Sequence, residues 1–217
     1  MKMQSTRVKF SKFITSPVSS WVWLSLTTLA IAGFTALSPA EASLGTHVRV
    51  VYLHGAWVWA SMAALLSGAV FGGIGLITSR RVFHCWSSAF GRTGLLFWVT
   101  YLPLSLWAMQ SNWNGLFLAE PRWRLALVFA IAGLLLQIGL KLANQPTLSS
   151  VINLSYFIAL IIALQNTANV MHPTSPIINS EAWRIQLFFF GLVLLTLLAV
   201  WQVARWWYKS EPDCTSR

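Results

Sequence analysis

A chain of 217 residues in which 56% of side chains are hydrophobic and only 9% are charged is too apolar for an ordinary soluble domain, where about a quarter would be charged. The net charge of +10 does not point to nucleic acid, because the basic residues stand singly or in small groups beside long apolar runs. That is the pattern of membrane flanks, and the absence of a Walker motif excludes ATP hydrolysis by that route.

The expected fold is an all-α, polytopic six-transmembrane-helix bundle forming one membrane domain over residues 1–217. The first apolar segment runs from about Trp21 to Leu37. Lys2, Arg7, Lys9 and Lys12 precede it and Ala40-Glu41-Ala42 follows it, as in a secretory signal with an A-x-A site. Its apolar stretch exceeds the usual ~7–15 residues of a cleaved signal, which favours a retained helix. The second segment covers about Val50–Thr78, with Gly68 and Gly72 in small-xxx-small spacing suited to close helix packing. The third is about Leu95–Met109 and the fourth about Leu125–Leu142, with a tryptophan-rich loop over 111–124 between them. The fifth and sixth are about Val151–Leu164 and Ile185–Val203. Asn112, Asn114 and Gly115 predict a turn or shallow re-entrant piece in that loop.

Alternating spans from a cytoplasmic N-terminus leaves Arg49, Arg122, Arg124 and Arg184 outside and the other eleven of the fifteen basic residues inside. This obeys the positive-inside rule and puts both termini in the cytoplasm. It also places His47, His54, the loop and His172 on the external face, with His84 alone inside. Cys85 and Cys214 fall on the cytoplasmic side, where disulfides are rare, and are expected to be free thiols. No CxxCH motif is present, so covalent c-type haem attachment is not indicated.

His54 is the first candidate site residue: Gly55 and Ala56 leave room beside its ring, and Trp57 and Trp59 follow. His172 precedes Pro173, which favours an extended conformation and a helix end nearby. Trp113, Phe117 and Trp123 could stack on a flat ligand, while Arg122 could pair with carboxylates. Glu120 could instead pair with Arg122. Met171 is expected to be a packed or exposed interfacial residue, and His47 and His84 to be solvated. No Asp, Glu, Lys or Arg lies in the middle of a span, which argues against an ion-coupled transporter. Imidazoles near aromatic rings at one membrane face suit non-covalent haem b.

These residues resemble the membrane haem-handling proteins of cytochrome c assembly, the CcmC/CcsA group, and CcmC more closely because of the six spans. That family carries an external W-G-x-x-W-x-W-D-x-R motif. Aligned at Trp113, it puts Phe117 on an aromatic position, Glu120 on the acidic position and Arg122 on the arginine. Its R-x-x-Y-x-H segment is matched by Arg49, Tyr52 and His54, and its second external histidine by His172. The chain departs from the family in having Gly55-Ala56 for V-P, Asn114 for Gly, Glu120 for Asp, and Leu116, Leu118 and Ala119 within the motif stretch. The resemblance implies a carrier rather than an enzyme, in the cytoplasmic (inner) membrane. His54 and His172 would be axial ligands of haem b, with haem passed to a chaperone or other assembly subunit at the external face. The alternatives are a haem-free transporter or permease component and a membrane cytochrome b that transfers electrons.

Overall fold

The structure, a computed structural model, describes residues 17–168, 177, 182–211 and 214, with side chains from residue 20 onward. It is all-helical. Six helices follow one another: α1 (Pro17–Ala36), α2 (Val48–Thr78), α3 (Arg81–Trp113), α4 (Pro121–Ala143), α5 (Pro146–Gln165) and α6 (Trp183–Ser210). Four of them, α2, α4, α5 and α6, are long and apolar enough to cross a membrane, and α1 contributes the shorter apolar stretch Ser20–Ala36.

The helix ends follow from local chemistry. Pro121 and Pro146 open α4 and α5, positions where a missing N–H costs nothing. Ser79, Asn114 and Asn144 close α2, α3 and α4 in the left-handed conformation. At Ser79 and Asn144 the amide returns to the carbonyl four residues back, satisfying an acceptor that the helix end would leave open.

The hairpin of α2 and α3 is the centre of the molecule. One cluster of buried side chains joins it to α1 and α6, through Tyr52, Phe97, Phe189 and Leu192 among others. A second joins it to α4 and α5, through Leu65, Trp98, Ala126 and Leu160. The reason α2 sits in the middle is written on one stripe: Ala56, Ala60, Ala64, Gly68 and Gly72 recur every fourth residue, and all are buried. Such a stripe drifts by about 40° per step around a helix of 3.6 residues per turn, so it faces different neighbours along its length. At Ala56 the carbonyl meets the Thr196 hydroxyl of α6 (3.4 Å). At Gly68 an added Cβ would lie 3.0 Å from the Gly91 nitrogen of α3, and at Gly72 it would lie 2.9 Å from the Ser150 carbonyl of α5. Backbones this close exclude any side chain larger than hydrogen.

Polar side chains tie the same surfaces. The Ser61 hydroxyl donates to the Gly94 carbonyl (3.0 Å) and that of Ser87 to the Gly68 carbonyl (2.8 Å). Asn153 of α5 donates to the Ser87 carbonyl (2.9 Å) and accepts from Gln137 of α4 (3.2 Å). Four helices therefore share one buried polar network, whose members satisfy one another in the absence of water.

Three expectations are corrected. The third segment does not start near Leu95: the stretch before it is the first half of α3, which begins at Arg81. Two of its polar residues, Ser87 and Thr93, face inward and are fully buried. His84 is not solvated; it is 6% exposed and hydrogen-bonded through Nδ1 to the Ser150 hydroxyl (2.7 Å). Cys85 and Cys214 are not free thiols but a disulfide, with Cα atoms 5.8 Å apart, inside the range that allows a bridge. The start of α3 and the end of α6 lie at the same end of the bundle, and an ion pair of Arg92 with Glu211 brings the end of α6 to α3.

Candidate functional site

The first turns of α2, the last turn of α3 and the first turn of α4 meet at the end of the bundle opposite the disulfide. His54 lies one turn and a half into α2, partly buried, with its ring 5.3 Å from that of Tyr101 on α3. Tyr101 in turn packs on Trp98 (5.3 Å), whose indole N–H donates to the Ala126 carbonyl of α4 (3.0 Å). Glu120 and Arg122, at the start of α4, are both close enough to act electrostatically on the Tyr101 hydroxyl. The structure thus gathers His54, Tyr101, Glu120 and Arg122 from three helices.

Local sequence explains the placement of the loop residues. Trp113 is the last residue of α3, and Asn114 turns the chain in the left-handed conformation. The Glu120 amide donates to the Phe117 carbonyl (3.0 Å), and Arg124 Nε donates to the Leu118 carbonyl (3.0 Å), which closes the loop on α4. Trp113 and Phe117 are left 37% and 41% exposed beside exposed Leu116 and Leu118, while Glu120 is buried. Asn112 reaches across to the His47 carbonyl of α2 (3.5 Å), and the His47 side chain itself is exposed. Trp57 is placed apart from the loop: its indole stacks on Phe97 (4.9 Å) and donates to the Thr100 hydroxyl (2.9 Å), within the α2–α3 contact. Gly55 lets α6 come close: an added Cβ would lie 3.1 Å from the Phe189 ring, which would have to give by a few tenths of an ångström. His172 and Met171 lie outside the described residues.

The same end of the molecule concentrates buried polar atoms that have no hydrogen-bond partner among the described residues. They include Arg122 Nε and Trp123 Nε1 at the start of α4, Arg49 Nε and the Tyr52 hydroxyl at the start of α2, Asn112 Oδ1 at the end of α3, and the Thr35 and Ser38 hydroxyls at and just after the end of α1. Six of these seven are donors or can donate. A buried donor without an acceptor costs ~1–3 kcal/mol, so a donor-rich set of this kind suits a ligand that carries carboxylates. The set fits the propionates of a haem, and His54 beside it fits an axial ligand. Among the described residues no three His, Cys, Asp or Glu side chains converge as a metal-binding group. Sequence reasoning missed Tyr101; the available signal was a tyrosine inside an apolar segment, whose hydroxyl needs a polar neighbour.

No family model, no curated protein and no solved structure matches this chain.

Proposed function

We propose that the chain is a six-span membrane protein that holds haem b non-covalently at the external face of the cytoplasmic membrane. It delivers that haem for cytochrome c maturation, in the manner of the CcmC/CcsA group it resembles. The observation that carries the reading is the convergence of His54, Tyr101, Glu120 and Arg122 at one end of the bundle, amid buried donors that lack acceptors. His54 and His172 are the proposed iron ligands. Arg122 and Arg49 are suited to the propionates, and the exposed faces of Trp113 and Phe117, with Trp123 beside them, to the ring and to a haem-accepting partner. The haem supplies iron chemistry when bound; the protein's part is to ligate, orient and present it.

The six-span arrangement draws support from α3. Its 33 residues extend ~50 Å at 1.5 Å per residue, more than the ~30 Å of a bilayer core. Its low average hydropathy comes partly from His84, Ser87, Thr93 and Ser105, which face inward, and partly from Arg81, Gln110 and Asn112 at its ends. The external aspect of α4 and α5 is rich in exposed leucine and isoleucine, including Ile131, Leu135 and Ile162, as lipid contact requires.

The test is an absorption spectrum of detergent-purified protein, oxidised and reduced, beside His54→Ala and His172→Ala. A low-spin bis-histidine spectrum that is lost in either variant is expected. Colourless wild-type protein that also fails to take up added haem overturns the proposal.

A further inference from the structure

Three fasteners join the first half of α3 to the end of α6, and one of them can be opened by electrons. Trp86 stacks on Trp201 (5.3 Å) and Tyr208 (4.3 Å) of α6. Arg92 pairs with Glu211, the residue after α6, and lies over the Trp207 ring (5.5 Å). Cys85, next to Trp86, is bonded to Cys214, just beyond the end of α6 at Ser210. The Cys214 amide donates to the Glu211 carbonyl (3.0 Å), so the ion pair and the disulfide hang on one turn of backbone. The two sulfurs are unequal: Cys85 is 3% exposed, whereas Cys214 is only half-buried. A thiolate from solution therefore reaches Cys214 first. Cys85, once released, is a small apolar thiol in a core position. The stacked rings and the ion pair remain when the bond is gone, so the bond is not what holds α6 on α3. The proposed orientation puts this end in the cytoplasm, where the disulfides that do occur are usually transient or redox-sensing.

We propose that Cys85–Cys214 is a redox clasp, opened by a dithiol reductant in the cytoplasm and closed again by the oxidised form of that reductant. A thiolate of the reductant attacks Cys214 Sγ, the bond to Cys85 breaks, and Cys85 leaves and takes up a proton. The reductant's second thiol then displaces Cys214, which is protonated in turn. Two electrons and two protons reach the cysteine pair, and the reductant departs as a disulfide. Closed, the turn that carries Glu211 and Cys214 is fixed to α3; open, it keeps only the ion pair. The proposal rests on the proposed function for its sidedness alone and needs no haem.

The experiment uses the full chain. In growing cells, acid quenching and two-step alkylation report whether the pair is free or bonded. The pair is expected as two thiols, to become a disulfide when diamide is added, and to return to thiols once diamide is removed. In nanodiscs, reduced thioredoxin is expected to open the disulfide of the folded protein. Hydrogen exchange over the last turn of α6 should then accelerate about tenfold or more, with α2 unchanged. Cys214→Ser should exchange at the fast rate without reductant. A pair that stays bonded in growing cells is a permanent staple and overturns the clasp. If that bond also opens to a membrane-impermeant phosphine added to spheroplasts, the orientation falls with it; otherwise the clasp alone falls. A pair that stays reduced under diamide, last-turn exchange that ignores the redox state, or loss of the whole fold on reduction also overturns the clasp. The haem spectrum of the His54 site is read separately from all of these.

Discussion

Arg122 offers a test in which stability and ligand binding are expected to move in opposite directions. Its Nε is buried with no hydrogen-bond partner among the described residues, at the start of α4, beside Glu120 and within electrostatic reach of Tyr101. In haem-free protein that donor carries a desolvation cost of ~1–3 kcal/mol. Arg122→Met keeps most of the apolar stem and removes the cost, so the haem-free variant should melt no lower than wild type. A hydrogen bond to a charged partner is worth ~1.5–3 kcal/mol. At 1.4 kcal/mol per tenfold, the variant should lose roughly 10- to 100-fold in haem affinity. Haem titration followed by Soret absorbance gives the affinity, and detergent-phase thermal unfolding gives the stability. A variant that melts well below wild type yet binds haem equally would refute the reasoning, because the guanidinium would then be a structural tie.

Other features make independent predictions. Asn153→Ala removes the bonds that Asn153 makes to Ser87 and Gln137. Interhelical bonds in membranes average ~0.6 kcal/mol and reach ~1.7, so denaturant unfolding should show a loss of about 1–2 kcal/mol; no change would mean the network is not formed. In the turn between α1 and α2, Glu41 accepts from the Ser43 hydroxyl and from the Leu44 and Ser43 amides, which hold its carboxyl below the usual range. A depressed carboxylate stabilises the turn above the unfolded value, and that contribution is lost as pH falls through the depressed one. Hydrogen exchange at the Ser43 and Leu44 amides, corrected for intrinsic rate, should accelerate below that pH and stay unchanged in Glu41→Gln. Maleimide labelling of protein purified without reductant should modify neither Cys85 nor Cys214, and both after reduction; labelling before reduction would show that the pair does not bond.

Much of this architecture was legible because apolar runs and their breakers are one-dimensional signals. Helices were expected close to where α1, α2, α4, α5 and α6 occur, and the turn at Asn114 was read from its Asn and Gly residues. The first half of α3 was not legible. Ser87, Thr93 and Arg92 lower the average hydropathy, and averaging cannot tell a polar face turned inward from a solvated loop. The burial of His84 depends on Gly75 and Ser150, which are distant in the chain from one another. The pairing of Cys85 with Cys214 likewise depends on which helix ends meet. At the candidate site, His54, Glu120 and Arg122 carried chemistry recognisable by residue type. Tyr101 joins them only through the packing of α3 against α2 and α4.

The every-fourth-residue stripe on α2 has a consequence for how the bundle keeps its alignment. Sliding α2 along its axis by four residues, ~6 Å, would carry the methyl of Ala64 into the place of Gly68 in one direction and the side chain of Leu76 into the place of Gly72 in the other, where the Gly91 and Ser150 backbones leave room for hydrogen alone. The glycine end of the stripe is therefore a stop against axial slip. The hydroxyls of Ser61, Ser87 and Thr196, each seated on a particular carbonyl of the opposing helix, hold the same register, and with it the height of His54 against Tyr101.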